Sequence, residues 1–214
     1  MKRKYDLLMF DMDGTLADTD PMLFETFNIL YDKYRPGFRR PKEEIYYFSG
    51  PPIRETLKKE FPDLEPNFIF DEFCKTSRPF YDTHVFSYEH SQEVLEDLKK
   101  DGFLLAVVTN KQHALSIVTL KNLHLDHLFD YVIGYDDVSK GKPDKEGILK
   151  VIDHYHIDKS RSLYIGDNAL DLLTADNAGI DCYLVDWGPR VLSKDLRPKD
   201  KIKSYLDLKE KVYE

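Results

Sequence analysis

Short apolar runs alternate with helix-patterned segments along most of this chain, and that alternation restricts the fold more than any other feature. The runs are Leu7 to Phe10, Phe103 to Thr109, Tyr131 to Ile133, Leu163 to Ile165 and Cys182 to Val185, each bounded by turn or polar residues. Between them, Glu93 to Lys100, Gln112 to Asn122 and Asp144 to Tyr155 carry helical patterns. Strand and helix in alternation build βαβ units. The expectation is therefore an α/β fold, a Rossmann-like and mostly parallel sheet flanked by helices, with ligands bound at the carboxyl ends of the strands near a topological switch point.

Residues 16 to 86 break the pattern. They hold no convincing buried strand and are punctuated by Pro21, Pro36, Pro41, Pro51, Pro52, Pro62, Pro66 and Pro79. The clearest helix there has Asp20 as its cap and Pro21 in its first turn, with Leu23, Phe24, Phe27, Leu30, Tyr31 and Tyr34 on one apolar face. That stripe reads as core packing. The segment is expected to be an inserted all-α cap domain over 16–86, joined by two linkers to a catalytic core made of 1–15 and 87–214. The tail from Lys194 is polar, with a short closing helix around Tyr205 to Val212, and is assigned no chemistry.

With 214 residues, of which 42% are hydrophobic and 13% aromatic, the chain can bury a sizeable core. A formal net charge of -8 argues against nonspecific nucleic-acid or membrane-surface binding, because both need a cationic footprint. Cys74 and Cys182 stand far apart without CxxC spacing, so neither a thiolate zinc site nor a disulfide framework is indicated. The start Met1 Lys2 Arg3 Lys4 leads into an apolar run too short for a signal-peptide core or a membrane span. A cytoplasmic location is the expectation, and monomer and homodimer are both open.

The first run ends in Asp11 Met12 Asp13 Gly14 Thr15 Leu16, so two carboxylates one residue apart enter a glycine turn. In extended chain Asp11 and Asp13 face one pocket while Met12 faces the opposite side, an arrangement suited to metal-assisted phosphoryl transfer. Three further groups fall at strand ends or in loops. Thr109 and Asn110 follow the second long run with groups that hold phosphate oxygens. Lys140 Gly141 Lys142 Pro143 supplies a loop lysine of the kind that can neutralise charge on a transferring phosphoryl group. Asp167 ends the Leu163 strand, and Asp171 follows four positions later on the same face of a starting helix. Singly, each has a plain structural explanation as a helix cap, a surface lysine or an acidic first turn. Together, Asp11, Asp13, Asp167 and Asp171 would repel one another strongly unless a hard cation sat among them, and an oxygen-only ligand set favours Mg²⁺ over Zn²⁺.

Other patterns fail. None of the seven histidines lies in an HExxH pattern, and His124 with His127 reads as a surface or helix-end pair. Gly134 to Lys142 has the wrong glycine spacing for a P-loop, with Pro143 where Ser or Thr is needed. Thr15 and Leu16 occupy positions where a calcium loop needs a ligand and a glycine. Trp187 and Gly188 could touch the rim of the site or merely pack.

Taken in order, Asp11 to Leu16 with Asp18, Val108 to Lys111, Val132 Ile133 Gly134 with Asp136 Asp137 Val138, Lys142 Pro143, and Gly166 Asp167 with Asp171 make the chain resemble the haloacid dehalogenase superfamily. Within it, the chain is similar to phosphoglycolate-phosphatase-like enzymes that carry a helical cap. Gly50 to Leu57 looks like the substrate-facing cap segment of these phosphatases and would put Arg54 near the substrate. Lys145 departs from the proline often found at its position in the lysine loop. The resemblance implies a Mg²⁺-dependent phosphatase for a small phosphorylated metabolite, with Asp11 as nucleophile and Asp13 as acid and base. It also implies Mg²⁺ ligation by the Asp11 carboxylate, the Asp13 backbone carbonyl and Asp167, with Asp171 completing or orienting the set. Thr109, the Asn110 backbone and Lys142 would hold the nonbridging oxygens. Alternatives on the same scaffold are a phosphomutase similar to β-phosphoglucomutase and a pyrophosphatase or nucleotide phosphatase; a noncatalytic binding protein is a further one. Leu23 stands where sugar phosphomutases of the superfamily carry a histidine, which points to water as acceptor.

Overall fold

The computed structural model describes residues 2–188 and 195–214. Six parallel strands form one sheet in the order β5-β4-β1-β6-β7-β8. They are β1 (Leu7–Phe10), β4 (Leu104–Val108), β5 (Tyr131–Ile133), β6 (Ser162–Gly166), β7 (Asp181–Val185) and β8 (Asp200–Ile202). Helices α5 (Ser91–Lys100), α6 (His113–Asn122), α7 (Glu146–Tyr155), α8 (Ala169–Ala178) and α9 (Tyr205–Lys211) belong to the same unit. Both faces of the sheet are covered. Leu8, Phe10, Leu105 and Val107 contribute to one apolar cluster, whereas Leu7, Met9, Ala106 and Val108 contribute to the other. Burial on both faces is why these strands read as unbroken apolar runs rather than as alternating patterns.

From β1 the chain first builds outward through β4 to β5, then returns to build β6, β7 and β8 on the other flank. The order therefore reverses beside β1 and β6, and their carboxyl ends open the crevice in which such sheets bind ligands. Asp11 and Asp167 are the residues that follow those two strands.

Four helices, α1 (Asp20–Tyr34), α2 (Lys42–Tyr46), α3 (Ile53–Glu60) and α4 (Pro66–Ser77), are inserted between the two-residue strands β2 (Ala17–Asp18) and β3 (Phe86–Ser87). Those strands pair antiparallel, Ala17 with Ser87 and Asp18 with Phe86, outside the main sheet, so both linkers of the helical cap are zipped together. Inside the cap, Phe27, Leu30 and Tyr31 of α1 are fully buried, as the apolar stripe required. One polar lock accompanies them: buried Glu60 accepts from the Tyr31 hydroxyl at 2.7 Å and from Arg40 at 2.6 and 2.8 Å.

Two sequence expectations are corrected. Asp20 lies inside α1, and Thr19 flanks its start without a side-chain cap, because the Thr19 hydroxyl donates instead to Asp13. The tail also contains a strand, β8, which the polar composition hid; Lys194 itself lies outside the described residues.

Candidate active site

The turn after β1 wraps around one carbonyl. The amides of Thr15, Leu16 and Ala17 all donate to the Met12 oxygen, and Gly14 supplies the positive φ of 84° that the reversal needs. Strand parity carries past the end of β1: Met12 joins the cluster of Leu8 and Phe10. Asp11, of opposite parity, meets Lys142. The Asp11 amide donates to the Ile165 carbonyl at 2.9 Å, which fixes the nucleophile candidate against β6.

Asp11 is 2% exposed, and its Oδ1 lies 2.9 Å from the Lys142 ammonium. The same ammonium is 2.6 Å from Asp171 Oδ1 and 3.2 Å from the Tyr164 hydroxyl, whose own proton goes to the Val108 carbonyl at 2.6 Å. Burial pushes the Asp11 carboxyl up to about 6, opposed by Lys142 and reinforced by Asp171 and Asp13. Burial alone would lower the Lys142 ammonium, but Asp11 and Asp171 outweigh it and hold it above the ordinary lysine range.

Asp171 is fully committed. Its Oδ2 accepts from the amides of Asp167 at 2.9 Å and Asn168 at 3.1 Å, closing the capping box at the start of α8. A side chain at Gly166 would collide with this carboxyl, so the glycine is what lets Asp171 fold back onto the strand end.

Carboxylate oxygens of Asp11, Asp167 and Asp171 lie within 4.8 Å of one another, all buried. Three buried carboxylates so close together, with oxygen as the donor each of them offers, fit a divalent hard cation. Because Asp171 already serves Lys142 and two amides, Asp11 and Asp167 are the carboxylates with the better claim to hold it, with Asp171 as their anchor.

Asp13 turns away from that trio. Its Oδ1 accepts from Thr19 at 3.0 Å and from the Lys111 ammonium at 2.8 Å, and it faces the cavity between core and cap. Asp11, Thr109, Asn110 and Lys111 line the same cavity from the core, and Met22, Leu23, Phe48, Ile53, Phe73 and Tyr81 line it from the cap side. The cavity is thus polar at its base and apolar on its cap wall. Thr109 is 5% exposed and its hydroxyl accepts the Lys111 amide at 3.2 Å. The Asn110 side chain works as a staple: it accepts the Lys142 amide at 2.8 Å and donates to the Gly50 carbonyl of the cap at 3.1 Å.

Of the residues singled out from sequence, Arg54 is the one the structure does not bring to the site. Its guanidinium donates to Asn67 at 3.0 Å and lies 3.7 Å from the centre of the Phe70 ring, so it braces α3 against α4 and is absent from the described cavity lining. Lys111, next to Thr109 and Asn110 in the chain, adds a site ammonium that strand-end position alone does not single out. Burial alone would lower its ammonium, but Asp13 and Tyr81 more than restore it. Tyr164 went unremarked too, because a tyrosine within a buried strand reads as packing.

A doubly covered parallel sheet, an inserted helical cap and a carboxylate-and-lysine centre at the switch point together define a capped, doubly wound α/β protein with a site suited to phosphoryl transfer. The chain belongs to the haloacid dehalogenase-like hydrolase family, whose model matches residues 8–185. It is 33% identical over 190 residues to the pyrophosphatase PpaX of Bacillus velezensis, covering 86% of this chain and 85% of that protein. The pyrophosphatase PpaX of Halalkalibacterium halodurans is 31% identical over 183 residues, with 86% and 84% covered. Among solved structures, the "predicted phosphoglycolate phosphatase" of Haemophilus somnus 129PT superposes with a TM-score of 0.86 at 20% identity, covering 97% of each chain. The protein is a hydrolase of this family. None of the helices in the described residues is long and apolar enough to cross a membrane.

Proposed function

We propose that the protein is a Mg²⁺-dependent phosphatase that hydrolyses a small phosphorylated metabolite through an aspartyl-phosphate on Asp11. The core would be 1–15 and 87–214, with 16–86 as the cap. The observation that carries this reading is a buried carboxylate, Asp11, backed by the Lys142 ammonium at 2.9 Å, with Asp13 lining the same cavity two residues on. In the first step an Asp11 oxygen attacks phosphorus, the bond from phosphorus to the leaving oxygen breaks, and Asp13 gives that oxygen its proton. In the second step Asp13 takes a proton from water as the water attacks the same phosphorus. Asp11 is then free again and inorganic phosphate is released. The Thr109 hydroxyl, the Asn110 amide and Lys142 would hold the nonbridging oxygens, supplying the positioning and charge stabilisation that dominate phosphoryl transfer. Asp11, Asp167 and the Asp13 carbonyl, with Asp171 as anchor, would hold Mg²⁺, which would supply charge neutralisation.

Leu23 on the cavity wall offers no acid or base to deliver a second hydroxyl, which supports water as acceptor. Lys111 brings an ammonium to the same cavity from the core side, so the reading favours a substrate with a second anionic group on the leaving side. Phosphoglycolate has one. Pyrophosphate also has one, and the name of the PpaX relatives supports it as the second candidate. The test is phosphate release from phosphoglycolate, pyrophosphate, sugar phosphates, nucleotides and p-nitrophenyl phosphate, with Mg²⁺ and with chelator. Metal-dependent release is expected, fastest for a small dianionic or bis-anionic substrate. A folded protein that releases phosphate from none of them refutes the reading.

A further inference from the structure

The far end of the chain reaches the turn that carries Asp13. While the turn's own amides converge on Met12, the Thr15 carbonyl accepts from the hydroxyl of Tyr205, the first residue of α9, at 2.8 Å. Tyr205 is 1% exposed, and its ring stacks on Trp187, with centroids 4.9 Å apart and planes at 24°. Trp187 follows β7 and also meets Tyr88, with centroids 5.4 Å apart and planes tilted at 44°. Tyr88 directly follows β3, the second cap linker, and β3 pairs back onto β2, which begins two residues after Thr15. Thr15, Tyr205, Trp187, Tyr88, Ser87 and Ala17 therefore close a ring around both linkers.

We infer that Tyr205 is a positioning residue: through the Thr15 carbonyl and the Trp187–Tyr88 stack it fixes the Asp13 turn relative to the two cap linkers. The inference rests on the reading of Asp13 as acid and base. Its physical basis is that a displacement near 1 Å of a reacting group costs on the order of 10²-fold in rate, and one hydrogen bond to a turn is enough to shift it by a fraction of that distance. A role in folding alone would show in thermal stability and leave turnover per folded molecule unchanged.

Tyr205→Phe keeps the stacked ring and deletes only the hydroxyl. Expected is a fall in kcat of about 10-fold with KM changed less than ~2-fold. Trp187, the single tryptophan of the chain, provides a second readout. Its emission should change when Mg²⁺ and inorganic phosphate are added to the wild type, and change less in Tyr205→Phe. Equal kcat in the two proteins overturns the inference, and so does an equal emission response. If the wild type itself shows no turnover, the reading of Asp13 fails instead, and the emission comparison alone then decides the role of Tyr205. Should Tyr205→Phe not fold, Tyr88→Leu, which breaks the other end of the stack, carries the same two readouts with the same outcomes.

Discussion

Replacing Asp11 with asparagine separates two properties of one side chain, because the carboxylate proposed as nucleophile is also a costly charge for the fold to hold. Asp11 is 2% exposed and burial pushes it up to about 6, despite Lys142. Measured from an ordinary 3.8, that rise corresponds to roughly 3 kcal/mol against the ionised form. The folded protein holds the Asp11 proton more tightly than the unfolded chain does. The penalty is therefore full above about pH 6 and disappears as the pH falls toward ~4. Asparagine has nearly the same shape without the charge, and Lys142 retains Asp171 at 2.6 Å. That rise is already net of the 2.9 Å attraction of Lys142, and an asparagine amide proton left unpaired in this buried site offsets part of the gain by about 1–2 kcal/mol. The expected net stabilisation of Asp11→Asn in chelator near pH 7.5 is about 1–2 kcal/mol, or about 2–8 °C in Tm for a chain of this size. Phosphate release with Mg²⁺ should fall at least ~10³-fold in the same variant. The assay is thermal unfolding of both proteins in chelator across about pH 4.5–8, beside turnover. A variant less stable than wild type at pH 7.5, or a stability difference that is the same at both ends of the pH range, would refute the argument.

Lys111→Gln removes the ammonium from Asp13 and from the cavity wall, and should lower kcat/KM by about 10–100-fold for substrates with a second anionic group, the size of a lost charged hydrogen bond. The loss should be smaller for p-nitrophenyl phosphate, and equal losses across the panel would deny Lys111 a part in choosing the leaving group. Arg54→Ala, by contrast, should leave the ranking of substrates unchanged and cost about 0.5–1 kcal/mol of stability from its lost contact with Phe70, as read by substrate panel and thermal unfolding.

Strands buried on both faces were legible because their central side chains are apolar or aromatic whichever way they point: Leu104–Val108 and Ser162–Gly166 lie within a residue of the runs that announced them. Strand β8 was not legible. Of Asp200, Lys201 and Ile202 only Ile202 is buried, so an edge strand of three residues leaves no pattern to read. The paired linkers β2 and β3 are two residues each and carry even less. Asp20 was misread as a cap because capping propensity is local, whereas the Thr19 hydroxyl was drawn to Asp13 by a tertiary contact. Site residues at strand ends follow from topology, since the end of a strand fixes where the next residue stands. Arg54 could not be placed that way, because a helix of eight residues can be turned about its axis, and packing on Phe70 and Asn67 decided the direction.

The cap and the chemistry share atoms, and this has a consequence for how the site selects what it acts on. Asn110 joins the cap's Gly50 carbonyl to the Lys142 backbone, and Thr19, one residue before α1, binds Asp13. Moving the cap outward would therefore loosen the lysine loop and the Asp13 carboxylate together, before any substrate contact is considered. The cap wall itself is apolar at Met22, Leu23, Phe48 and Phe73, so it gains from excluding water but offers an anion little, the nearest ammonium, Lys111, belonging to the core. A compact substrate that lets the cap seat keeps Asn110 and Thr19 in place. One too large to be enclosed would be held by the core with its lysine loop and acid both unanchored, and so would be bound yet turned over slowly. Discrimination by size should consequently fall on kcat more than on KM.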